Sequence, residues 1–279
     1  MRQWLKIFLA GFVLWVATVA VTAWTANSNL IPALVLLGSF LVPVTFVVWA
    51  YGRGRTADVT VELLFRAFVV GGLLGVLGAS LLESWLLRPS VWAYLGVGLI
   101  EEGVKLAALI IVTRRMVRRT ARDGLVLGAT VGFGFAAFES AGYAFNALFT
   151  PVGLSLSQLV ETEVLRGLLA PVGHGLWTAI IGGVLFGAGN RFTPRVILTY
   201  LGVSALHGLW DSMNAIAIAL TLLFTGKKWQ FDQLRIGQVP EVTEAQVHIY
   251  TVLDLGGLVV ISVIGLLWLR AIARAAAKR

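Results

Sequence analysis

Residues Trp92–Thr113 read WAYLGVGLIEEGVKLAALIIVT, an apolar run long enough to cross a bilayer as a helix, with Glu101, Glu102 and Lys105 at its middle. On insertion scales an ionised side chain at the centre of a membrane helix costs about 2.5–3.5 kcal/mol, so carboxylates at that depth are read first as functional. At about 3.6 residues per turn, Lys105 lies one turn from both glutamates, and the glutamates point about 100° apart. One glutamate can therefore pair with the lysine while the other faces something else.

The rest of the chain has the same apolar character. Of 279 residues 58% are hydrophobic and 13% charged, outside the range of soluble domains. The bilayer interior offers the backbone no hydrogen-bonding partner, so long apolar runs without alternation are helices rather than barrel strands. The expected fold is an all-α polytopic membrane helix bundle, a single integral membrane domain over residues 1–279. Eight spans are expected, at about 5–25, 30–51, 63–83, 91–113, 124–148, 167–189, 196–224 and 251–272. The first begins after Arg2 and Lys6 and is nearer a full span than a signal core, so it reads as a retained anchor. With no cysteine, the chain has no disulfide, thiolate nucleophile or thiolate-bound metal. The net charge of +8 is read as loop charge facing anionic headgroups rather than as a nucleic-acid surface.

Orientation follows from the loops. With the N-terminus in the cytoplasm, 15 Lys and Arg residues fall inside, among them Arg53, Arg55, the run Arg114 to Arg122, Arg191, Arg195, Lys278 and Arg279, and five fall outside: Arg88, Arg166, Lys227, Lys228 and Arg235. Both termini are expected to be cytoplasmic, in the plasma membrane of a bacterium or archaeon. The segment 225–250 is then an extracytoplasmic loop that either docks part of a substrate or caps the bundle, with His248 on its surface. Gly71-x-x-x-Gly75, Gly128-x-x-x-Gly132 and Gly183-x-x-x-Gly187 are small-residue patterns of close helix packing. Pro43 is expected to kink the second span, and Pro171 to loosen the sixth near its outer end.

Polar residues concentrate on four successive spans, a motif-bearing core at about 90–215. Besides Glu101, Glu102 and Lys105, the fifth span carries Phe135-Ala-Ala-Phe-Glu139 and Tyr143, the sixth His174-Gly-Leu-Trp177-Thr178, and the seventh His207-Gly-Leu-Trp-Asp211. The i to i+4 spacing gives each helix a polar stripe one turn tall. Taken singly, Lys105 with one glutamate reads as an ion pair, His207 with Asp211 as a packing pair, and His174 as bland. Four such stripes together imply a shared interior site near the midplane. Depths counted from the outer ends are about 15 Å for Glu101 and Glu139, about 10 Å for His174 and about 20–25 Å for Asp211 and His207.

Four ionised carboxylates with Lys105 alone leave a deficit of three charges, which a low-dielectric site does not hold unaided. Protonated carboxylates suited to acid and base chemistry, protonated histidines, or a divalent cation would each resolve it. Histidine and carboxylate ligands suit zinc, although H-E-x-x-H is absent, and a metal, if present, would draw on Glu101, Glu139, His174 and His207.

At these residues the chain resembles the PrsW family of intramembrane proteases, which is similar in turn to the type II CAAX prenyl proteases. E-E-x-x-K at Glu101 to Lys105, F-x-x-x-E at Phe135 to Glu139, H-x-x-W-T at His174 to Thr178 and H-x-x-x-D at His207 to Asp211 follow in the family's order. The resemblance implies an endopeptidase that cuts a transmembrane or membrane-tethered protein, such as a single-pass anti-sigma-factor-like substrate clipped on its outer side. It implies Glu101 as general base on a water, Glu139 where the prenyl proteases have a water-activating histidine, His174 or His207 with Asp211 on the scissile carbonyl, and Glu102 and Lys105 as orienting groups. No cofactor is favoured, with Zn2+ the metal to consider. The rivals are a proton- or ion-coupled transporter, a CAAX-type prenyl protease, whose motif would read E-E-x-x-x-R where this chain has Leu106, and a non-enzymatic bundle. A protease in the membrane must admit water, and the expected gap lies at the Gly-rich fifth span, near Gly134, and around Pro171 and Gly173.

Overall fold

The computed structural model describes residues 2–54, 58–90 and 92–277. Arg55, Lys278 and Arg279, three of the charges used for orientation, lie outside the described residues, as do Met1 and Val91.

The described chain is helical almost throughout: α1 (Gln3–Thr25), α2 (Ile31–Gly54), α3 (Val61–Leu86), α4 (Ala93–Thr113), α5 (Ala121–Ala147), α6 (Leu156–Leu169), α7 (His174–Gly187), α8 (Pro194–Thr225), α9 (Lys228–Arg235) and α10 (Glu244–Ala277). A two-residue-per-strand hairpin, β1 (Phe149–Thr150) and β2 (Gly153–Leu154), joins α5 to α6. Seven stretches among the described residues are long and apolar enough to cross a membrane, one of them the joined segment Leu156–Gly187. At 21 residues and about 1.5 Å per residue, α4 is also long enough; its three central charges set it apart by composition.

α5 is the hub, packed against α7, α3, α2, α6 and α4. It opens on a reciprocal cap, in which the Asp123 N–H donates to Thr120 Oγ1 at 3.2 Å and the Thr120 N–H to Asp123 Oδ2 at 2.9 Å. Its small residues let neighbouring backbones come close, which matters where lipid removes the hydrophobic drive for helix association. A Cβ at Gly124, Gly128 or Gly132 would overlap the carbonyl oxygen of Gly182, Thr178 or His174 respectively. These three contacts, four residues apart on each helix, form an antiparallel ladder that fixes α7 on α5. On another face, a Cβ at Gly71 would lie 2.8 Å from Val131 Cα, and one at Gly75 2.8 Å from the Phe135 ring. Gly98 on α4 meets the Ser204 carbonyl and Gly208 on α8 meets that of Tyr94, which sets α4 antiparallel to α8.

Three expectations change. The sixth span is two helices: a 3-10 turn at Ala170–Val172 and the non-helical Gly173 (φ −102°, ψ −130°) interrupt it, so His174 is the first residue of α7. Pro171 lacks an N–H and ends α6 outright rather than loosening a continuous helix. Gly134 is no gap, since a Cβ there would overlap the Phe68 carbonyl. Part of 225–250 is helix: α9 lies within it and α10 begins at Glu244. Buried Gln230 and Gln246 exchange Nε2–H···Oε1 bonds at 3.0 Å in both directions and pin α9 to α10. His248 is exposed on α10.

The glycine ladder predicts that Gly128→Val lowers thermal stability in detergent by about 1–3 kcal/mol or more through overpacking. Gly142→Ala, where nothing lies within 4 Å of the added Cβ, is expected to leave the melting temperature unchanged or slightly raised.

Candidate active site

Residues from α4, α5, α7 and α8 meet around the Lys105 ammonium, which is fully buried. It donates to Glu102 Oε1 at 2.7 Å and to Glu101 Oε2 at 3.3 Å, and lies 2.9 Å from His174 Nδ1. Phe135 supports it from below, with the ammonium 4.2 Å from the ring centroid. The same ring packs 5.1 Å from the His174 ring, which gives the phenylalanine of the F-x-x-x-E motif its place.

The two glutamates part as their angular separation requires. Glu102, without exposure, is locked by Lys105, by His207 Nδ1 at 3.0 Å and by the Thr178 hydroxyl at 3.3 Å. Glu101 reaches the wall of a cavity of about 640 Å³ that is also lined by Glu83, Glu139, Tyr143, Arg166, Gly173, His174 and Asp211. The cavity lies toward the ends where α3 and α5 finish and α4 and α7 begin.

Each histidine is oriented by a carboxylate. His174 Nε2 is 3.0 Å from Glu139 Oε2 and His207 Nδ1 is 3.0 Å from Glu102 Oε1, so in each ring that nitrogen carries the hydrogen. The opposite nitrogens, His174 Nδ1 and His207 Nε2, both lie 3.6 Å from Glu101 Oε2. His207 Nε2 is also 3.3 Å from Asp211 Oδ2, but the alignment is poor and this buried nitrogen has no hydrogen-bond partner among the described residues.

The seven sequence-predicted residues, Glu101, Glu102, Lys105, Glu139, His174, His207 and Asp211, thus form one connected cluster. The depths counted along the spans do not hold, because the His174 and His207 rings are 4.9 Å apart. Residue 167 is not the end of a span: α6 extends the chain beyond it, so the zero of that count was misplaced. Two wall residues escaped the sequence reading. Arg166, assigned to an outer connector, donates to Glu139 Oε2 and, at 2.7 Å, to Ser140 Oγ. Its signal was the capped amphipathic run after Ser155. Glu83, near the end of α3, stands on the cavity wall with Oε1 buried and without a hydrogen-bond partner among the described residues, and no local pattern marks it.

Glu101, His174 and His207 each offer a ligand atom, all within 4.8 Å of one another. Around a tetrahedral zinc at about 2.0–2.1 Å, ligand atoms stand about 3.4 Å apart, close to the 3.6 Å separations of Glu101 Oε2 from each histidine. The orphaned His207 Nε2 and the carboxylate behind each ring are what such a site requires. Arg166 changes the charge balance as well: the four motif carboxylates against Lys105 and Arg166 leave a deficit of two, with Glu83 a fifth carboxyl group on the same wall. The donor set fits a metal, and the Lys105 contact with His174 Nδ1 is the one such an ion would replace. Of the four ligands expected, Glu139 stands apart, engaged with Arg166 and the far side of His174.

Lys105→Met would leave two buried carboxylates without their cation and is expected to destabilise the protein by about 3–5 kcal/mol. Thr178→Val is expected to cost about 1 kcal/mol. Thermal unfolding in detergent checks both. Gly173→Cys, on the cavity wall, where an added Cβ meets only ordinary contacts at 3.7 and 4.0 Å, should react with a water-borne thiol reagent.

The PrsW family intramembrane metalloprotease model matches residues 42–231, wider than the stretch carrying the four motifs. No curated protein and no solved structure matches the chain. With more than half of its length and all four motif-bearing helices inside that match, the chain belongs to the PrsW family of intramembrane metalloproteases.

Proposed function

We propose that this protein hydrolyses a peptide bond of a single-pass or membrane-tethered protein in the cavity between α3, α4, α5 and α7, with Glu101 at the reacting water. The observation that carries this reading is the convergence of His174 Nδ1 and His207 Nε2 on Glu101 Oε2, 3.6 Å from each, at the cavity wall. Glu101, His174 and His207 would hold a divalent ion, zinc by donor type. That ion would supply Lewis acidity at the scissile carbonyl.

The chain's own groups do the rest. Glu102 and Lys105 orient the site from beneath, and Glu102 sets the tautomer of His207. Glu139 receives both of its protein partners at Oε2, which keeps Oε1 for a water proton on the cavity side. Asp211, one turn from His207 on α8, lines the cavity beside that ring, where its negative charge would favour a cation held by His207. A helical substrate must unwind to present its peptide bond, and the α6–α7 break at Gly173 supplies irregular backbone at the cavity wall. The metal-free alternative, with Glu101 as general base, is favoured by the Lys105 ammonium 2.9 Å from His174 Nδ1.

The membrane orientation we propose is cytoplasmic at both termini. Arg53, the Arg114–Arg122 run and Arg191 then lie inside, and the cavity opens toward the outer side of a bacterial or archaeal plasma membrane. A substrate clipped there resembles a single-pass anti-sigma factor cut at its outer end.

Single-pass reporters co-reconstituted in liposomes test the reading. Wild-type protein is expected to cut a reporter, and Glu101→Gln, which keeps shape and removes the carboxylate, to lose at least about 10²-fold in rate. Equal cutting by both would overturn the assignment of Glu101. Elemental analysis of the purified protein is expected to find one metal ion per chain, lost in His174→Ala and His207→Ala; a metal-free, active wild type would select the base reading.

A further inference from the structure

Arg166 belongs to none of the four motifs, yet it closes on a single turn of α5. Its guanidinium donates to Glu139 and, through Nε, to Ser140 Oγ at 2.7 Å, and its Cζ lies 4.2 Å from the centroid of the Tyr143 ring. These partners, at i, i+1 and i+4, suit a planar fork that bonds in its plane and stacks through its face. Behind it, Glu139 Oε2 is 3.0 Å from His174 Nε2, so the guanidinium acts on the histidine through the glutamate.

α6 presents this arginine from a fixed position. Three residues earlier, Glu163 is 4% exposed and accepts a 2.7 Å bond from Trp15 Nε1 of α1. Its carboxyl occupies the space left by Gly38 of α2, where any Cβ would collide with it. A buried carboxyl group with no cation partner among the described residues, seated on a glycine and held by an indole, is costly unless it anchors something. Here it joins α6 to α1 and α2, while Arg166 one turn later grips α5.

We propose that Arg166 is a positioning residue for the reaction: held by the Trp15–Glu163 anchor of α6, its guanidinium fixes Glu139 against His174 and so aligns that ring with Glu101. The proposal rests on the protease reading above. It makes the N-terminal helices, plain in sequence, part of what aligns the site.

The test uses a reporter that wild type cleaves and Glu101→Gln spares, which establishes the protease reading before Arg166 is touched. Arg166→Gln is expected to lower kcat by about 10–100-fold, the range for a lost outer-shell partner, with KM little changed. Arg166→Lys should recover part of the loss, since an ammonium replaces the charge without the fork. Trp15→Phe, remote from the cavity, should lower kcat in the same direction by a smaller factor, and Glu163→Gln, which still accepts the indole hydrogen bond, should stay near wild type. In a Glu139→Gln background, Arg166→Gln should cost little more. If Arg166→Gln fails to fold, Ser140→Ala and Tyr143→Leu weaken the same grip and carry the same expectation of a kcat loss. Wild-type kcat in these variants, a KM effect alone, or an equal loss with and without Glu139 would overturn the positioning role and leave the protease reading standing.

Discussion

The site depends on one fully buried ammonium group in the middle of a membrane protein. Lys105 has three acceptors within 3.3 Å, Glu102, Glu101 and His174, and His207, Thr178 and Glu139 bond to these in turn. Such a charge is tolerable in a low-dielectric interior only when its partners and their remaining lone pairs are satisfied. Glu102 meets that condition through His207 and Thr178, which draws α7 and α8 to α4. The requirement to satisfy one lysine therefore brings three motif-bearing helices together.

Close approach is what makes this possible. The helices that carry the cluster approach closely because the chain places glycine where they cross. The Gly124, Gly128 and Gly132 ladder places Thr178 and His174 beside α5, while Gly98 and Gly208 bring α8 against α4. In lipid these contacts draw on packing and interhelical hydrogen bonds rather than on water exclusion. The same glycines leave no gap of their own; the helix is interrupted instead between α6 and α7, where Gly173 lines the cavity.

A second polar layer surrounds the first. Arg166 supplies a cation that the motifs lack and reduces the deficit of the cluster to two charges. Glu163 and Trp15 extend that layer to α1, whose principal helix partner is otherwise α2. Trp15 of the apolar first span thus finds its hydrogen-bond partner only beside α6.

The helical class, the position of nearly every span and the seven clustered residues were determined by the sequence alone. A bilayer forces helices on long apolar runs, and i to i+4 spacing places polar groups on one face whatever the neighbours do. Only the tertiary structure decided which glutamate is locked inside and which faces the cavity, that the histidine nitrogens converge on Glu101, and that the sixth span breaks before His174. It also brought Arg166 to Glu139 and Trp15 to Glu163. Trp15 and Glu163 are 148 residues apart and Arg166 and Glu139 are 27 apart. Contacts across such separations leave no periodic trace in either segment, because they depend on how helices pack rather than on how each one turns.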